Sequence, residues 1–426
     1  MKIDLHYGAG LVNIEIPEQN LAQTIQPWID PQPHSNQTII ASALTEEKTA
    51  DFRQRIAGKR LCLLTNDGTR DMPLADIFEK LFPLLAACSF VRFIISTGTH
   101  NSDTPENKKI ATDIVKQAKK ASLTQFDIHV HNCKTAEFTA AGTTSHSTNV
   151  LVNAKIDTAE AFCVLSDVKF HYFAGYSNPI KYFVPGLCAY ETTEKNHSLA
   201  LDDRSTYGLH PWHKDKNRRD NPLATDQAEA MRLITKDRPV FALTSISSSG
   251  KIQWACLDTA KNAASKAFDI VDEKNTRTVA PTEYLIVSPG GLPNDIDLYI
   301  AQRALELTKQ AVKDNGEILF ISACPKGVGE EKTMQNFYDP LTRPIDEIRH
   351  STEQDYKLYS HKPYKFAKLI QRLKKIWVYS ELPDKTVKAA HLYPTPNPQA
   401  VVDNWIKQNP LAKITVVDGA NKIAIY

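Results

Sequence analysis

Short apolar runs that alternate with stretches long enough for helices constrain the fold of this chain more than any other feature. In the first half, CLLTN and VRFIIS each end in a polar turn with glycine and are followed by a helical pattern. In the second half, EYLIV, EILFIS and IWVYS alternate with helical stretches in the same way. Strands that alternate with helices of about ten or more residues are typical of parallel βαβ units. The pattern therefore predicts an α/β protein.

The chain has 426 residues, which is long enough for two domains. A polar stretch that ends in proline, KNTRTVAP at 274–281, is the candidate linker between them. We expect a first domain over residues 1–274. We expect the second domain, over residues 282–409, to be a small doubly wound (Rossmann-like) parallel sheet. The active site is then expected in the crevice between the two domains.

The composition argues against two classes of partner. The chain has 51 basic and 49 acidic residues, so no basic excess is available to neutralise the phosphates of a nucleic acid. No apolar run approaches the roughly 18 residues that span a membrane, and the start MKIDLHYGAG alternates like a strand. The seven cysteines are widely spread without a CxxC pair, which is typical of reduced thiols. We expect a cytoplasmic protein with a small-molecule ligand, no nucleic acid and no membrane association.

The first apolar run ends in a polar turn, Asp67-Gly68-Thr69-Arg70. This turn places a carboxylate, a hydroxyl and a guanidinium at the carboxyl edge of the predicted sheet, where open α/β folds bind ligands. The planar fork of arginine matches a carboxylate or a phosphate. The alternative is a surface turn with a solvated arginine.

The second apolar run breaks at Gly98-Thr99-His100 and then opens a helix. A strand, a glycine turn and a helix start form a geometry in which backbone N–H groups hold an anion. We expect His100 at the strand end, facing the same crevice as Arg70. Two further histidines, His129 and His131, are spaced to share one face of a strand, but no third metal ligand is near in sequence. A metal site at that pair is therefore not favoured.

A stretch in the middle of the chain, residues 167–197, combines reactive and loop-forming residues. It reads DVKFHYFAGYSNPIKYFVPGLCAYETTEKNH and places His171, Lys181 and His197 among aromatics, glycines and prolines. Such a mixture suits the wall of a pocket better than a regular element. Taken singly, each histidine is more often an ordinary buried or surface residue, and the lysine is usually solvated.

This stretch resembles the nickel-pincer lactate racemase family, in which a PHYFAGFSGGRKSILPG-like run is followed by an ETIEANH-like run. Here HYFAGYSNPIKYFVPG and YETTEKNH keep the spacing from histidine to lysine to histidine without a gap. The motifs DGTR and GTH also belong to that family, as does the run AGTTSHSTNV around residues 143–146. Residues 221–226 resemble another family segment, which we interpret as scaffold. The resemblance covers essentially the whole chain, and it implies that the tail 410–426 returns to the first domain.

The resemblance implies a cofactor and a reaction. The cofactor is pyridinium-3,5-bisthiocarboxylic acid mononucleotide nickel, a nickel-pincer nucleotide with one arm linked to a lysine, which Lys181 matches. His197 matches the histidine that completes the nickel coordination, and His100 and His171 match the pair of catalytic bases. The implied reaction is racemisation or epimerisation of a 2-hydroxy acid by hydride transfer to the pyridinium, and the enzymes that make the cofactor are implied as transient partners. Three further residues are expected to contact the cofactor: Asp67, Thr69 and Gly98.

The residues expected to bind the substrate are Arg70, Tyr299, Ile300 and Arg303. Where the family has a tyrosine, a glutamine and a lysine, this chain has Tyr299, Ile300 and Arg303, so the positive charge is kept and an amide is lost. The family run GGRKS is replaced by NPIKY around Lys181. These departures favour a substrate other than lactate. The alternative is a non-catalytic relative that binds a small acid or a nucleotide, although the retention of both candidate bases favours catalysis.

Overall fold

The computed structural model describes residues 1–28, 34–70, 72–248 and 250–426. It divides into two compact units, which are described separately. Unit 1 contains Met1–Ile29 and Glu273–Tyr426, and unit 2 contains Asp30–Asp272. Among the described residues, no helix combines the length and the apolar character needed to cross a membrane.

The strands in chain order are β1 (Lys2–Tyr7), β2 (Gly10–Glu15), β3 (Leu21–Ile25), β4 (Arg60–Asn66), β5 (Phe90–Ser96), β6 (Phe126–Val130), β7 (Phe138–Thr143), β8 (Asn149–Asn153), β9 (Ala161–Asp167), β10 (Phe170–His171), β11 (Gly175–Tyr176), β12 (Val240–Ser248), β13 (Lys251–Thr259), β14 (Thr276–Arg277), β15 (Thr282–Val287), β16 (Val312–Ile321), β17 (Lys375–Tyr379), β18 (Tyr393–Pro394), β19 (Ile414–Val417) and β20 (Ala424–Ile425).

The α-helices in chain order are α1 (Asn36–Ala43), α2 (Glu46–Ile56), α3 (Leu74–Leu85), α4 (Pro105–Lys120), α5 (Tyr190–Ser198), α6 (Pro222–Thr235), α7 (Ala260–Asn275), α8 (Leu298–Ala301), α9 (Arg303–Thr308), α10 (Glu331–Met334), α11 (Tyr338–Leu341), α12 (Ile345–Gln354), α13 (His361–Arg372), α14 (Asp384–Ala389) and α15 (Pro398–Gln408).

Unit 2 is built on a sheet with the strand order β13-β12-β9-β4-β5-β6. The neighbours from β12 to β6 are parallel, and β13 is an antiparallel edge strand paired with β12. Because helices cover both faces of the sheet, β4 and β9 are buried along almost their whole length, as parallel strands in α/β folds are. Apolar clusters fill the space on both faces. The parallel arrangement brings the carboxyl ends of β4, β5 and β9 to one edge.

Unit 1 contains the second parallel sheet, with the order β18-β17-β16-β15-β19-β3. From β15 the chain moves outward through β16, β17 and β18 and then returns to add β19 on the other side of β15. Helices between these strands make the unit doubly wound. The predicted fold class, an α/β protein with a second, Rossmann-like parallel sheet, is confirmed.

The residues that form unit 1 differ from those expected for the second domain. The tail 410–426 was expected to return to the first domain, but β19 pairs with β15 in the sheet of unit 1. The first residues of the chain also belong to unit 1, because β3 extends this sheet by pairing with β19. The division falls between residues 272 and 273, close to the end expected at 274. The boundary depends on pairing between strands from opposite ends of the chain. The amino-acid composition of the expected linker does not reveal such pairing.

Two predicted helices illustrate what a local pattern determines. The helix expected from Thr45 to Ala57 is α2, with Thr45 as its N-cap. The helix expected across DLYIAQRALELTKQAVKD is shorter, because α8 and α9 are separated at Gln302 and the chain enters β16 at Val312. The residues from Val312 onward pair with β15, and this pairing overrides their helical pattern.

Candidate active site

The side chains of Asp67 and His100 meet at the carboxyl edge of the sheet in unit 2. Asp67 follows β4 and is buried, and its Oδ2 lies 2.6 Å from Nδ1 of His100, which follows β5. The hydroxyl of Thr69 donates to the other carboxylate oxygen of Asp67 at 2.6 Å, and the backbone N–H of Thr69 donates to the same oxygen at 3.2 Å. Both oxygens of the carboxylate are therefore occupied by donors from the two turns that the sequence singled out.

The surroundings keep Asp67 ionised. Burial by itself would raise the pKa of this carboxyl, but the hydrogen bond and charge of His100, the charge of Arg70 and the hydroxyl of Thr69 together lower its pKa below the usual value. A carboxylate accepts hydrogen bonds and donates none, so Nδ1 of His100 carries the proton of this contact. The Nε2 atom of the neutral ring is then left as an acceptor.

Two glycines allow these turns to pack closely. A Cβ atom on Gly68 would lie 2.1 Å from Cβ of Glu106, and the backbone N–H of Gly68 donates to Oδ1 of Asn107 at 2.9 Å. Gly98 has φ +56° and donates its backbone N–H to the carbonyl of Gly186 at 3.2 Å. That conformation is unfavourable for a residue with a side chain. Gly98 thus joins the turn before His100 to the loop that follows Lys181.

The helix expected to open directly after His100 begins later. Its first residue is Pro105, and the hydroxyl of Thr104 caps it by accepting from the backbone N–H of Asn107. The side chain of Asn107 also donates to the carbonyls of Asn101 and Ser102. The polar groups of this turn therefore bind one another, and Asn107 was not identified from the sequence because it lies outside the motif.

Arg70 is exposed at the same edge, and its charge acts on two carboxyls, Asp67 and Asp167. Asp167 ends β9, and its Oδ1 accepts from the backbone and the hydroxyl of Ser247 at 2.9 and 2.7 Å. Burial raises the pKa of Asp167, and Lys169, Ser247 and Arg70 oppose this shift. The sequence did not single out Asp167 as a site residue, because only the strand order reveals that its end lies beside that of β4.

His171, Lys181 and His197 converge on a single aromatic ring, that of Phe173. The ring centre of Phe173 lies 4.4 Å from that of His171 and 5.3 Å from that of His197, both in edge-on geometry. The amine of Lys181 lies 5.8 Å from the same ring centre. His171 is half-buried and accepts at Nδ1 from the backbone N–H of Ala174 at 3.3 Å. The neutral ring of His171 therefore carries its proton on Nε2.

His197 is buried in the last turn of α5. Burial, followed by the nearby charge of Lys181, lowers the pKa of His197 to about 3, against a weaker opposing hydrogen bond with the backbone of Thr193. The ring is therefore neutral at neutral pH, which is the form that binds a metal ion. Among the described residues, no group of three or more His, Cys, Asp or Glu side chains is arranged to hold a metal.

The altered run around Lys181 forms a short 3-10 helix, Pro179–Tyr182. Asn178 caps it by accepting from the backbone N–H of Ile180 at 2.8 Å and also donates to the carbonyl of Tyr176. Pro179 at the first position of this turn loses no hydrogen bond, because that N–H has no partner within a helix. The chain therefore supports Lys181 with a capped turn where the related family has two glycines.

Neighbouring strand ends present polar atoms that have no hydrogen-bond partner among the described residues. These atoms are Oδ1 of Asn66 and Oγ of Ser96, and both are buried. The two residues face each other in the pairing of β4 with β5. Buried acceptors and donors without partners cost about 1–3 kcal/mol each and normally bind a protein group, water or a ligand. They lie directly before the two turns that carry Asp67 and His100.

Tyr299, Ile300 and Arg303 lie in unit 1. Tyr299 and Ile300 belong to α8, and Arg303 begins α9, so the predicted spacing of four residues spans the break at Gln302. Lys362, which the sequence analysis did not identify, donates its amine to the backbone carbonyl of Tyr299 at 2.6 Å and lies 3.5 Å from the centre of its ring. Burial and the charge of Arg303 lower the pKa of Lys362.

His131 is a hydrogen-bonded core residue. Its Nε2 lies 3.1 Å from the carbonyl of Cys188, and its Nδ1 lies 3.1 Å from the amide nitrogen of Asn153. His129 instead lies 3.1 Å from a carboxylate oxygen of Asp127. Each histidine is thus held by its own partners.

Family models match most of the chain. Residues 7–208 match the lactate racemase N-terminal domain, and residues 252–424 match the lactate racemase C-terminal domain. The chain is 24% identical over 340 residues to a lactate racemase from Thermoanaerobacterium thermosaccharolyticum, a match that covers 77% of this chain and 76% of the relative. It is 23% identical over 348 residues to a lactate racemase from Lactiplantibacillus plantarum, with 79% and 78% covered.

Solved structures share the fold. The apoprotein of the Thermoanaerobacterium thermosaccharolyticum lactate racemase superposes with a TM-score of 0.84 at 19% identity, and the match covers 100% of both chains. A protein from Thermotoga maritima superposes with a TM-score of 0.65 at 12% identity, covering 94% of this chain and 100% of the other. At these identities the superpositions support the fold, and the chemistry is argued from the residues of the site.

Proposed function

The chain belongs to the lactate racemase family, and from this membership we propose that it inverts the C2 centre of a 2-hydroxy acid other than lactate. The proposed reaction is racemisation or epimerisation with hydride transfer to a nickel-pincer nucleotide. Family membership supports a racemase. The substrate, the cofactor and the roles of individual residues are the parts that we propose.

The observation that carries the proposal is the convergence on Phe173. A candidate base, a candidate cofactor lysine and a candidate nickel ligand all lie around this one ring. These three residues come from different local elements, which are β10, a 3-10 turn and α5. A scaffold with no chemical role has no need to bring two histidines and a lysine to one ring.

The residues present fit the cofactor. Lys181 would form the covalent link to one thio-acid arm, and His197 would donate a neutral imidazole to nickel, which accepts nitrogen and soft sulfur ligands. The unpartnered polar atoms of Asn66 and Ser96, together with Gly98, would suit the polar part of the nucleotide. When bound, the nucleotide supplies a hydride acceptor, which no protein side chain offers.

The contact with Asp67 leaves Nε2 of His100 as the nitrogen that can accept a proton. Asp67 holds the proton of His100 on Nδ1, so Nε2 is free to act as a base toward the hydroxyl group of a substrate. The negative charge of Asp67 also stabilises the imidazolium that results. The arrangement matches the role of a buried aspartate beside a catalytic histidine in general base catalysis.

His171 is held in the opposite tautomer. Because Ala174 donates to Nδ1, the proton of the neutral His171 ring lies on Nε2, the nitrogen from which the ring donates hydrogen bonds. A racemase needs one base and one acid at each moment, and the two residues exchange these roles when the substrate has the other configuration. The residue that acts as the acid donates from its imidazolium form, because a neutral imidazole does not release its remaining proton near neutral pH.

Arg70 is the proposed anchor for the carboxylate of the substrate. It is exposed beside Asp67 and offers a planar pair of donors. The positive charge of Arg70 offsets the negative charge of Asp67 at this edge. A negatively charged substrate is therefore not repelled by a net negative charge. The assignment of Tyr299, Ile300 and Arg303 to substrate binding stays a prediction, as do the contacts of Thr69 with the cofactor.

The proposal is tested on protein produced together with the cofactor-synthesising enzymes. We expect an increase in intact mass, about one nickel ion per chain, and loss of optical rotation from a single-enantiomer 2-hydroxy acid. Lys181→Arg keeps the positive charge but cannot form the same link, so it should lose the mass increase. An active protein with neither nickel nor added mass would contradict the proposed cofactor.

The alternative function, a non-catalytic relative that binds a small acid or a nucleotide, gives a different result in the same experiment. A relative that binds the nucleotide would gain mass and nickel, and a relative that binds only a small acid would gain neither. Both would leave the optical rotation of every acid in a broad panel unchanged. The Asp67–His100 contact favours catalysis, because binding alone does not require a carboxylate that fixes the tautomer of a histidine.

A further inference from the structure

We propose that Asp226, a buried carboxylate on α6, is a positioning residue for His197 and acts through Asn196. This inference rests on the proposed function, because it gives His197 the role of nickel ligand. It concerns two sequence motifs that the proposed reaction leaves without a role, the run around residues 143–146 and the segment 221–226.

Asp226 and Asn196 form the central contact. Both side chains have no exposed surface, and the amide nitrogen of Asn196 donates to Oδ2 of Asp226 at 2.7 Å. The same nitrogen lies 3.3 Å from the carbonyl of Leu223. A hydrogen bond to a carboxylate oxygen is stronger than one to a neutral carbonyl oxygen. Asp226 is therefore the strongest constraint on the side chain of Asn196.

The opposite end of Asn196 is also held. Nε2 of Gln227 donates to Oδ1 of Asn196 at 3.1 Å, and Gln227 has no exposed surface. The next residue along α6 thus completes a clamp in which the amide nitrogen of Asn196 donates to Asp226 and Leu223 and the amide oxygen accepts from Gln227. A flipped amide would lose these contacts, so the clamp fixes its orientation.

Two threonines donate further hydrogen bonds to Asp226. The hydroxyl of Thr144 donates to Oδ1, and the hydroxyl of Thr148 donates to Oδ2 at 3.0 Å. His146, which lies on the same turn, approaches Oδ1 to 4.0 Å. Each donor requires an acceptor, and both oxygens of the Asp226 side chain accept hydrogen bonds here. In Asp226→Asn, one of the two accepting oxygens would become an NH₂ group, which would face the donors that now bind the carboxylate.

The clamp acts on His197 through the geometry of the helix. Asn196 and His197 are consecutive residues of α5, so their side chains point about 100° apart around the helix axis. Fixing the side chain of Asn196 therefore fixes the rotation of α5 about its axis, and that rotation sets the direction of the imidazole. Polar partners behind a metal ligand typically change metal affinity about 10–100-fold when they are lost.

The test uses Asp226→Asn in the cofactor-loaded protein and measures the rate at which nickel is released to a colorimetric chelator. We expect nickel release to become about 10–100-fold faster. Asp258→Asn is the matched control, because it removes a carboxylate that binds Lys48 and Lys266 elsewhere in unit 2.

The thermal midpoint of each variant separates positioning from general stability. A variant that loses stability but releases nickel at the wild-type rate would overturn this inference alone. If Asp226→Asn does not fold, Gln227→Met removes one bond of the clamp and should still accelerate release, and an unchanged rate in that variant overturns the inference as well. A wild-type chain that carries neither added mass nor nickel overturns the proposed function and this inference with it.

Discussion

Asp67 holds the ring of His100 through a contact of 2.6 Å between Oδ2 and Nδ1, although the two residues are 33 positions apart in the chain. The contact joins the turns after β4 and β5, which are neighbouring parallel strands. It determines which nitrogen of His100 carries the proton, and therefore which nitrogen can act as a base.

Replacing this carboxylate should reduce turnover without removing the cofactor. In Asp67→Asn the charge is lost and the amide can stabilise the wrong tautomer of His100, so we expect kcat to fall about 10²–10⁴-fold. The measurement is the rate of racemisation at equal nickel content. Asp127→Asn is the matched control, since Asp127 contacts His129 away from this edge. A normal kcat in Asp67→Asn would show that tautomer control does not limit the reaction.

Removing either candidate base should also reduce the rate. We expect His100→Ala and His171→Ala each to lose about 10²–10⁴-fold in kcat while they keep nickel and the added mass, because each histidine acts as the base in one direction of inversion and as the acid in the other. His129→Ala provides a comparable loss of a histidine outside the candidate site. The two-base mechanism fails if both variants retain nearly normal rates with both enantiomers.

The residue at position 300 is predicted to set substrate preference. The resemblance to the family implies that Ile300 stands where other members have an amide side chain, so we expect the wild type to racemise a larger aliphatic or aromatic 2-hydroxy acid faster than lactate. Ile300→Gln should shift the ratio of kcat/KM toward lactate by about 10-fold or more, since a hydrogen bond or an apolar contact contributes about 1–3 kcal/mol to discrimination. A panel of single-enantiomer acids measures both ratios. Lactate as the best substrate of the wild type would refute this role of Ile300.

Three buried histidines should make folding depend on pH. Burial lowers the pKa of His131 to about 4 and that of His197 and His210 to about 3. In the unfolded chain their pKa is about 6.5. Between about pH 6.5 and pH 4 the unfolded chain thus binds protons that the folded chain does not, so the free energy of unfolding falls as the pH is lowered through this range.

The variant His131→Gln isolates one of these protons. A glutamine can donate to Cys188 and accept from Asn153 as His131 does, but it does not titrate. The dependence of the unfolding free energy on pH near pH 5 should decrease by about 1.4 kcal/mol per pH unit, which corresponds to one proton. Urea unfolding of nickel-free protein at several pH values measures this slope. An unchanged slope would mean that His131 takes up its proton in the folded state.

Local patterns in the sequence predicted elements and motifs well. The apolar run before Asp67 and the helix over 46–56 were found because strands and helices leave their own spacing of buried residues. The pattern was less reliable at the helix expected to continue past residue 308, where pairing of β16 with β15 determines the conformation. Local preference amounts to a few tenths of a kcal/mol per residue, and burial in a sheet outweighs it.

The sequence by itself determined the α/β class and the residues His100, His171, Lys181 and His197 as candidates, because motifs and periodicity are local properties. Only the tertiary structure decided which of them meet, since Phe173 joins three of them and Asp67 orients the fourth. It also decided that the first strands and the tail belong to unit 1, and that Asp226 holds Asn196. Contacts between distant positions depend on strand order and burial, which follow from the free energy of the whole fold and leave no periodic trace in the chain.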